Sequence, residues 1–354
     1  MSTCTTRLTI IGAILLILSP RSHGSAVAVD DPVVPVSDIN QLYAEFYNPN
    51  NAGAVIDLAP GLYVLNPTAP NGGRLVFGPQ TAKAIKGSNQ YVDVDGDGVP
   101  DPLDLDMNGV PDVELAGKKV FAVPATETII DGSGLMLTPT GVLGFIELRA
   151  QPETEGTSQS VSNITLRGNN RPRAAIIVQG ITNSALNATI SGCIVQDSPR
   201  GIMLDARSAN PAGQNAQLNV LLEGNVVRDS GSTNPPGLAI GWGVQTQQLM
   251  MTSGLKFSLE IRHNRFYGNR VNLFLVSQGT QDSRTSVISR SNVYEESVLA
   301  TDPAEVHVFS SGIFIVIRNS NNVTGVRGTR IKLTSTGDAI WNNGGWAGVY
   351  AEVI

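Results

Sequence analysis

Cysteine is almost missing from this 354-residue chain, which has only Cys4 and Cys193. Cys4 falls in a leader-like segment, so Cys193 is expected to stand alone in the mature protein, and a disulfide framework is excluded. Charged residues make up 15% and the net charge is −6. A generally basic surface is therefore excluded, neither nucleic acid nor anionic membrane is expected as a partner, and any polyanion would need a local basic patch. Long apolar runs are lacking too. The one near the start, Ile10 to Leu18, is too short to span a bilayer, and no membrane span is expected anywhere. With Arg7 before it, Pro20 after it and the small-x-small stretch Ala26-Val27-Ala28, that run has the three-part order of a secretory signal. Residues 1–28 are thus expected to be a signal peptide, and the mature protein to be secreted, either extracellular or periplasmic.

What the chain does have is 37 glycines, 20 prolines and 41% hydrophobic residues, the composition of a turn-dense all-β protein with a large core. One phrase recurs along its second half as SNITL, GCIVQ, GNVVR, HNRFY, SNVYE and NNVTG. Its shared position falls at Asn163, Cys193, Asn225, Asn264, Asn292 and Asn322, at intervals of 30, 32, 39, 28 and 30 residues. A unit of this size cannot bury its own apolar face, so the units must stack as coils. Within Asn219 to Trp242 the alternation reads as three short strands per coil, with the length variation in one loop. The Asn position is expected at a left-handed bend, with its amides stacked into a ladder and Cys193 as an inward apolar substitute. Ahead of the coils, Ile39, Leu42 and Phe46 share a helical face behind Ser37 as N-cap, which predicts a short capping helix over Ser37 to Tyr47. The expected organisation is a cap and first coils over 29–160 and regular coils with a C-terminal cap over 161–354.

The phrases AVIDLAPGLYVL, TIIDGSG, SPRGIMLD and LEGNVVRDS resemble the coil sequences of the right-handed parallel β-helix superfamily, the pectin lyase fold shared by pectate lyases and polygalacturonases. The resemblance reaches from about Val36 to Leu333. It implies an all-β chain, a single-stranded right-handed parallel β-helix solenoid with an N-terminal capping helix and an inserted calcium-binding loop. It implies no one reaction, because the superfamily hosts lyases, hydrolases, epimerases, tailspikes and adhesins.

The insertion at 92–112, VDVDGDGVPDPLDLDMNGVPD, holds two copies of one spacing. The first is Asp93, Asp95, Asp97 and Asp101 with Gly98; the second is Asp104, Asp106, Asn108 and Asp112 with Gly109. Oxygens at alternate positions and a glycine at the sharp turn suit a hard cation, so calcium is the expected cofactor. The phrase resembles thrombospondin type 3 repeats. With no lysine or arginine beside these carboxylates to abstract a proton, the ion is expected to be structural.

In enzymes of the superfamily the strand after the loop carries the chemistry. Aligning GIMLD, GLAIGW, NLFLV, VHVF and RIKLT puts Ile202, Leu238, Leu273, Val306 and Ile331 inward, and Met203, Ala239, Phe274, His307 and Lys332 outward. Phe274, His307, Lys332 and Asp205 are the expected substrate-binding residues, and His307 and Lys332 the candidate catalytic pair for a β-elimination. Arg284, Arg290 and Lys332 would neutralise a substrate carboxylate. A hydrolase needs paired carboxylates. Asp205 has no partner on this alignment, and the Asn-Thr-Asp and Gly-His-Gly phrases of polygalacturonases are absent although Arg330-Ile331-Lys332 is present. The expected function is an exported, calcium-stabilised β-helix that binds a carbohydrate polymer and, if an enzyme, acts as a polysaccharide lyase rather than a hydrolase. The alternative is a non-catalytic cell-surface or matrix adhesion protein.

Overall fold

Alternation of apolar and polar residues over six or seven positions, broken by short turns, makes each repeat one coil of a solenoid. In the computed structural model one such coil consists of Ala185–Ser191, Ile194–Gln196 and Arg200–Asp205. Its strands pair in parallel with Gln217–Glu223, Val226–Arg228 and Trp242–Leu249 of the next coil. Stacking of this kind builds three parallel sheets. Among the described residues, sheet A has nine strands, from Val33–Val36 to Arg330–Thr336; sheet B has eight, from Gly61–Val64 to Ala339–Trp341; and sheet C has eight, from Leu75–Val76 to Val349–Val353. The structure describes residues 31–89, 127–135, 144–151, 157–168, 174–205, 215–230, 241–249, 253–278, 282–295, 297, 311–318, 328–341 and 349–353. The expected signal peptide and the aspartate-rich insertion lie outside them.

From Thr157–Ser162 onward the turn from sheet A to sheet B is the constant part of the coil, whereas one coil earlier the same corner separates Ala84–Lys86 from Thr128–Asp131. The first residue of the constant turn is left-handed in successive coils, at Asn163, Gly192, Gly224, His263, Ser291 and Gly337, with φ between 53° and 68°. The residue after it turns inward: Ile164, Cys193, Asn225, Asn264 and Asn292 are fully buried. The asparagines were expected at the left-handed bend itself and stand one position later. An amide can stack on its neighbours in the next coils only if it points into the core, where a hydrogen-bond partner is required of it.

The ladder is continuous. The Asn225 side-chain oxygen accepts from the backbone N–H of Cys193 at 2.9 Å. Asn264 Oδ1 accepts from the backbone N and Nδ2 of Asn225 at 2.8 and 2.9 Å, and Asn292 Oδ1 accepts the same pair from Asn264 at 2.9 Å each. The final rung is Asp338, whose Oδ1 takes both donors of Asn292 at 2.8 and 3.0 Å. Asn322 was expected there and lies outside the described residues, while Asn163 is the bend residue before Ile164, the first rung. Length variation was expected in one loop and falls at all three corners, at the A-to-B corner only before Thr128–Asp131. The B-to-C step runs from Gln196 to Arg200 in one coil and from Arg228 to Trp242 in the next, and the C-to-A step also varies, from Asp205 to Gln217 and from Leu249 to Lys256.

The core fills the space between the sheets. Its row in sheet B runs Tyr63, Ile130, Leu166, Val195, Val227, Phe266 and Tyr294, all buried, and Phe266 stacks on Tyr294 at 4.9 Å between centroids. Cys193 behaves as the apolar substitute expected of it. It is a free, buried thiol that burial pushes up to about 12. The helix spans Ile39–Phe46, and its N-cap is Asp38 rather than Ser37, since the Asp38 carboxylate accepts from the backbone N–H groups of Asn40 and Gln41 at 2.8 and 3.0 Å. A carboxylate also suits the positive end of the helix dipole. Leu42 and Phe46 of this helix are fully buried in the core. No helix among the described residues is long and apolar enough to cross a membrane.

Candidate functional site

The described members of the sequence-predicted site, Phe274, Lys332 and Asp205, do not converge. On sheet C the neighbours of Arg200–Asp205 are Trp242–Leu249, then Val271–Gln278, then Ser311–Arg318. Ile202 therefore pairs with Val244 where Leu238 was expected, and Phe274 stands between Gln245 and Phe314. Leu238, Ala239, Val306 and His307 lie outside the described residues. The segment Arg330–Thr336 belongs to sheet A, where Lys332 pairs with Ser286, so Lys332 is not beside Phe274. The VHVF and LAIGW stretches alternate as strands do, and so do the sheet C strands Trp242–Leu249 and Ser311–Arg318.

The outward face of sheet C at these positions is not an open groove. Phe274 is 7% exposed, Asp205 4% and Met203 0%. Phe274 packs between Trp242 and Phe314, at 4.8 and 5.3 Å between ring centroids. Asp205 stands in register with Gln179 and Gln247, which gives it no carboxylate neighbour on either adjoining strand.

The outward face of sheet A is open. Strands such as Lys256–Arg262 (KFSLEIR) and Arg284–Arg290 (RTSVISR) alternate strictly, with Phe257, Leu259, Thr285 and Val287 buried. Their outward residues line up in rows because the pairing register carries no offset. One row reads Ser158, Asn187, Asn219, Ser258, Ser286 and Lys332, every member exposed. Within it Asn219 Nδ2 donates to Asn187 Oδ1 at 2.9 Å. The adjacent row reads Ala185, Gln217, Lys256, Arg284 and Arg330, so three cations stand in register on neighbouring strands, about 4.8 Å apart. Lys256, Arg284, Arg330 and Lys332 are all exposed, and no described carboxylate forms an ion pair with them. Like charges directly opposite one another weaken a sheet, so this row is not explained by stability.

The same face holds arginines that are compensated. Arg262 Nε lies 2.7 Å from Glu223, and Arg290 Nη1 lies 3.5 Å from Glu260. Of the cations proposed from sequence to neutralise a substrate carboxylate, Arg284, Arg290 and Lys332 therefore do share a face, with Arg290 partly occupied by Glu260. Sequence reasoning missed Lys256 and Arg330 as members of the set. Their alignment depends on the strand register across loops of unequal length, which one chain's pattern does not reveal.

Two buried ionic clusters lie elsewhere. Glu147, 2% exposed, is held by Arg74 and by Arg149, the latter at 3.0 Å. Glu295, 1% exposed, pairs with Arg265, whose guanidinium also lies 4.6 Å from the centre of the Tyr267 ring. In each the carboxylate is engaged by arginine within the chain, as buried charges must be. No group of three or more metal-ligating side chains occurs among the described residues.

No protein-family model matches the chain, and no curated protein matches it. Among solved structures it is similar to an alginate lyase from Paenibacillus sp. str. FPU-7, with 10% identity and a TM-score of 0.30 over 87% of this chain and 99% of that one. A likeness at that score carries no argument, and what the face can bind is read from its own residues.

Proposed function

We propose that the protein is an exported, right-handed β-helix that binds polysaccharide on the outward face of sheet A. The observation that carries this is the exposed row Ser158, Asn187, Asn219, Ser258, Ser286 and Lys332, one hydrogen-bonding side chain per strand. A row across parallel strands repeats at about 4.8 Å, close to the length of one sugar residue, so a polymer lying along the solenoid meets the same chemistry at each coil. Serine and asparagine donate and accept, as sugar hydroxyls require. Serine also loses little rotamer freedom when it is ordered by a ligand.

Binding rather than turnover is the activity proposed. The carboxylates of this face nearest the row, Glu223 and Glu260, are engaged by Arg262 and Arg290, and Lys332 enters as a binding residue at the end of the row. Such a surface serves adhesion to a polysaccharide matrix as readily as it serves processing. Calcium, held by Asp93, Asp95, Asp97, Asp101, Asp104, Asp106, Asn108 and Asp112, would stabilise the fold, and the helix Ile39–Phe46 would close the N-terminal end. The two copies of the aspartate spacing support the first of these, and the burial of Leu42 and Phe46 beside the edge strand Val33–Val36 supports the second.

The test is affinity electrophoresis and calorimetry of the mature protein against neutral and acidic polysaccharides. Asn219→Ala with Ser258→Ala should weaken binding about tenfold, the loss of one to two hydrogen bonds, without changing the melting temperature. Failure of every polysaccharide to bind, or unchanged affinity in the double variant, would refute the assignment of this face.

A further inference from the structure

We infer that the outward face of sheet B at its first two strands, presented by Leu62, Val64 and Ile129, is the docking site for segment 113–126 of this chain, VELAGKKVFAVPAT. Docking there holds the aspartate-rich stretch that precedes the segment against the solenoid. The inference needs neither an ion in that stretch nor a polysaccharide on sheet A.

On the strand Gly61–Val64 the buried Tyr63 is flanked by Leu62, 57% exposed, and Val64, 42% exposed. A single apolar side chain on a surface needs no explanation, but Leu62 stands at the end of a track. Strand register continues it into Ile129, then Thr165, Ile194 and Val226. The last three are 2%, 3% and 4% exposed, and Ile194 and Val226 form a cluster with Tyr267 that is separate from the core between the sheets. The outward track is thus covered from Thr165 onward and opens at Ile129, which is half-buried, and Leu62. The row of Val64 is otherwise polar, through Asp131, Arg167, Gln196 and Arg228, so its apolar member falls beside the open end of the track. A contiguous apolar patch of this kind marks a place that another surface covers.

The occupant follows from where the chain leaves the solenoid and where it returns. Residues 90–126 lie between Asn89 and Glu127, and both stems are fixed at the track. The Thr128 backbone N–H donates to Asn89 Oδ1 at 2.7 Å, Asn89 Nδ2 donates to Thr165 Oγ1 at 3.2 Å, and Thr165 Oγ1 donates to Glu127 Oε1 at 3.1 Å. Gly61 donates its backbone N–H to the Glu127 carbonyl at 3.0 Å, so the returning chain meets the solenoid at the first residue of the strand that carries Leu62. An extended chain spans about 3.3 Å per residue. Val123, four residues before Glu127, can therefore lie up to about 13 Å from it and Phe121 up to about 20 Å, whereas Leu62 is one strand, about 4.8 Å, from Ile129. Val120, Phe121 and Val123 supply the apolar surface that the patch lacks. A second copy of the chain fits less well, because both stems of the insertion stand beside the patch.

The experiment is hydrogen exchange read by mass spectrometry on the full-length mature protein, following the amides of 113–126. In the wild type these amides should exchange more slowly than in the free peptide, and Leu62→Ser with Val64→Ser should speed their exchange about tenfold, the scale of uncovering a small apolar patch. Val33→Ser, at a position 60% exposed on sheet A, is the control and should change nothing. Phe121→Ser with Val123→Ser makes the same test without touching the solenoid: it should speed exchange alike, and adding it to the Leu62 and Val64 variant should shift the urea midpoint no further, because the two pairs report one contact. Unprotected amides in the wild type, exchange unaltered by Leu62→Ser with Val64→Ser, an equal effect of Val33→Ser, or midpoint shifts that simply add would each overturn the inference. So would a wild-type dimer in sedimentation that the Leu62 and Val64 variant dissociates, since the patch would then join two copies of the chain. Leu62 and Val64 are exposed, and an unchanged circular dichroism spectrum of their variant confirms that folded proteins are compared.

Discussion

Replacing Asn264 by alanine should cost far more than removing a polar side chain from a surface. Its Nδ2 donates to the carbonyls of Leu222 and Arg262 and to Asn292 Oδ1, at 2.9, 2.8 and 2.9 Å. Its Oδ1 accepts from the backbone N–H and Nδ2 of Asn225. Alanine keeps the backbone bond to Asn292 but strands the N–H of Asn225, a residue with no exposed surface. A buried donor left without an acceptor costs about 1–3 kcal/mol. The amide nitrogen has two hydrogens to share among these three acceptors, and the two bonds lost add roughly 1 kcal/mol each. The expected loss is about 3–5 kcal/mol, a large share of the roughly 5–15 kcal/mol that a folded domain has in total. Cys193→Ala is the internal control, because it occupies the same turn position with only long sulfur contacts, at 3.4 and 3.7 Å, and should cost about 1 kcal/mol of packing. The assay is urea unfolding of both variants, followed by circular dichroism and by tryptophan fluorescence, since coincident transitions are needed before a free energy is assigned. If Asn264→Ala costs no more than Cys193→Ala, the ladder is decoration and not the element that fixes the coils.

Calcium should raise the melting temperature of protein stripped with EDTA, since an ion at about a hundred times its Kd adds roughly 2.7 kcal/mol. Asp95→Ala with Asp97→Ala should shrink that gain, and a melting temperature indifferent to both EDTA and calcium would exclude the metal site. Alkaline pH should destabilise the fold. Burial pushes Tyr43 and Cys193 up to about 12, from ordinary values of 10.0 and 9.0, and it raises Tyr47, Tyr63 and Tyr294 as well. These groups stay protonated in the folded chain while the unfolded chain releases its protons, so stability is full below about pH 9 and is lost as pH climbs toward 12. Urea midpoints from pH 7 to 11 that stay level would contradict the burial of these groups.

Most of the β-helix was legible because its repeat is written in short range. GNVVR, HNRFY and SNVYE each carry strand, bend residue and ladder residue within five positions, and their structural rungs are Asn225, Asn264 and Asn292. The phrase failed where the chemistry was satisfied by other letters. Asp338 accepts the same two donors as an asparagine would, and Ile164 fills the first rung with an apolar side chain, so a search for Asn slid to Asn322 and Asn163. The face of sheet A was harder to see for a different reason. Whether Lys256, Arg284 and Arg330 align depends on hydrogen-bonded register between coils separated by loops of unequal length, and alternation within one strand is silent about it. RIKLT reads the same whether it follows the loop or begins a coil, and only the structure, by pairing Ser286 with Lys332, decides between those.

The rungs Cys193, Asn225, Asn264, Asn292 and Asp338 are separated by 32, 39, 28 and 46 residues, yet each donor finds its acceptor at the same distance. Growth of the chain is thereby divided into two kinds of site. Between sheet A and sheet B in the coils that carry the ladder, an insertion of a single residue would invert the side chains that follow and uncouple a rung. At the other two corners the segments between strands run from three residues, after Gln196, to 15, after Glu295, and the strands that follow keep their register. Those corners are the places where evolution, or a designer, can graft a new lobe beside the polymer track and leave the track in register.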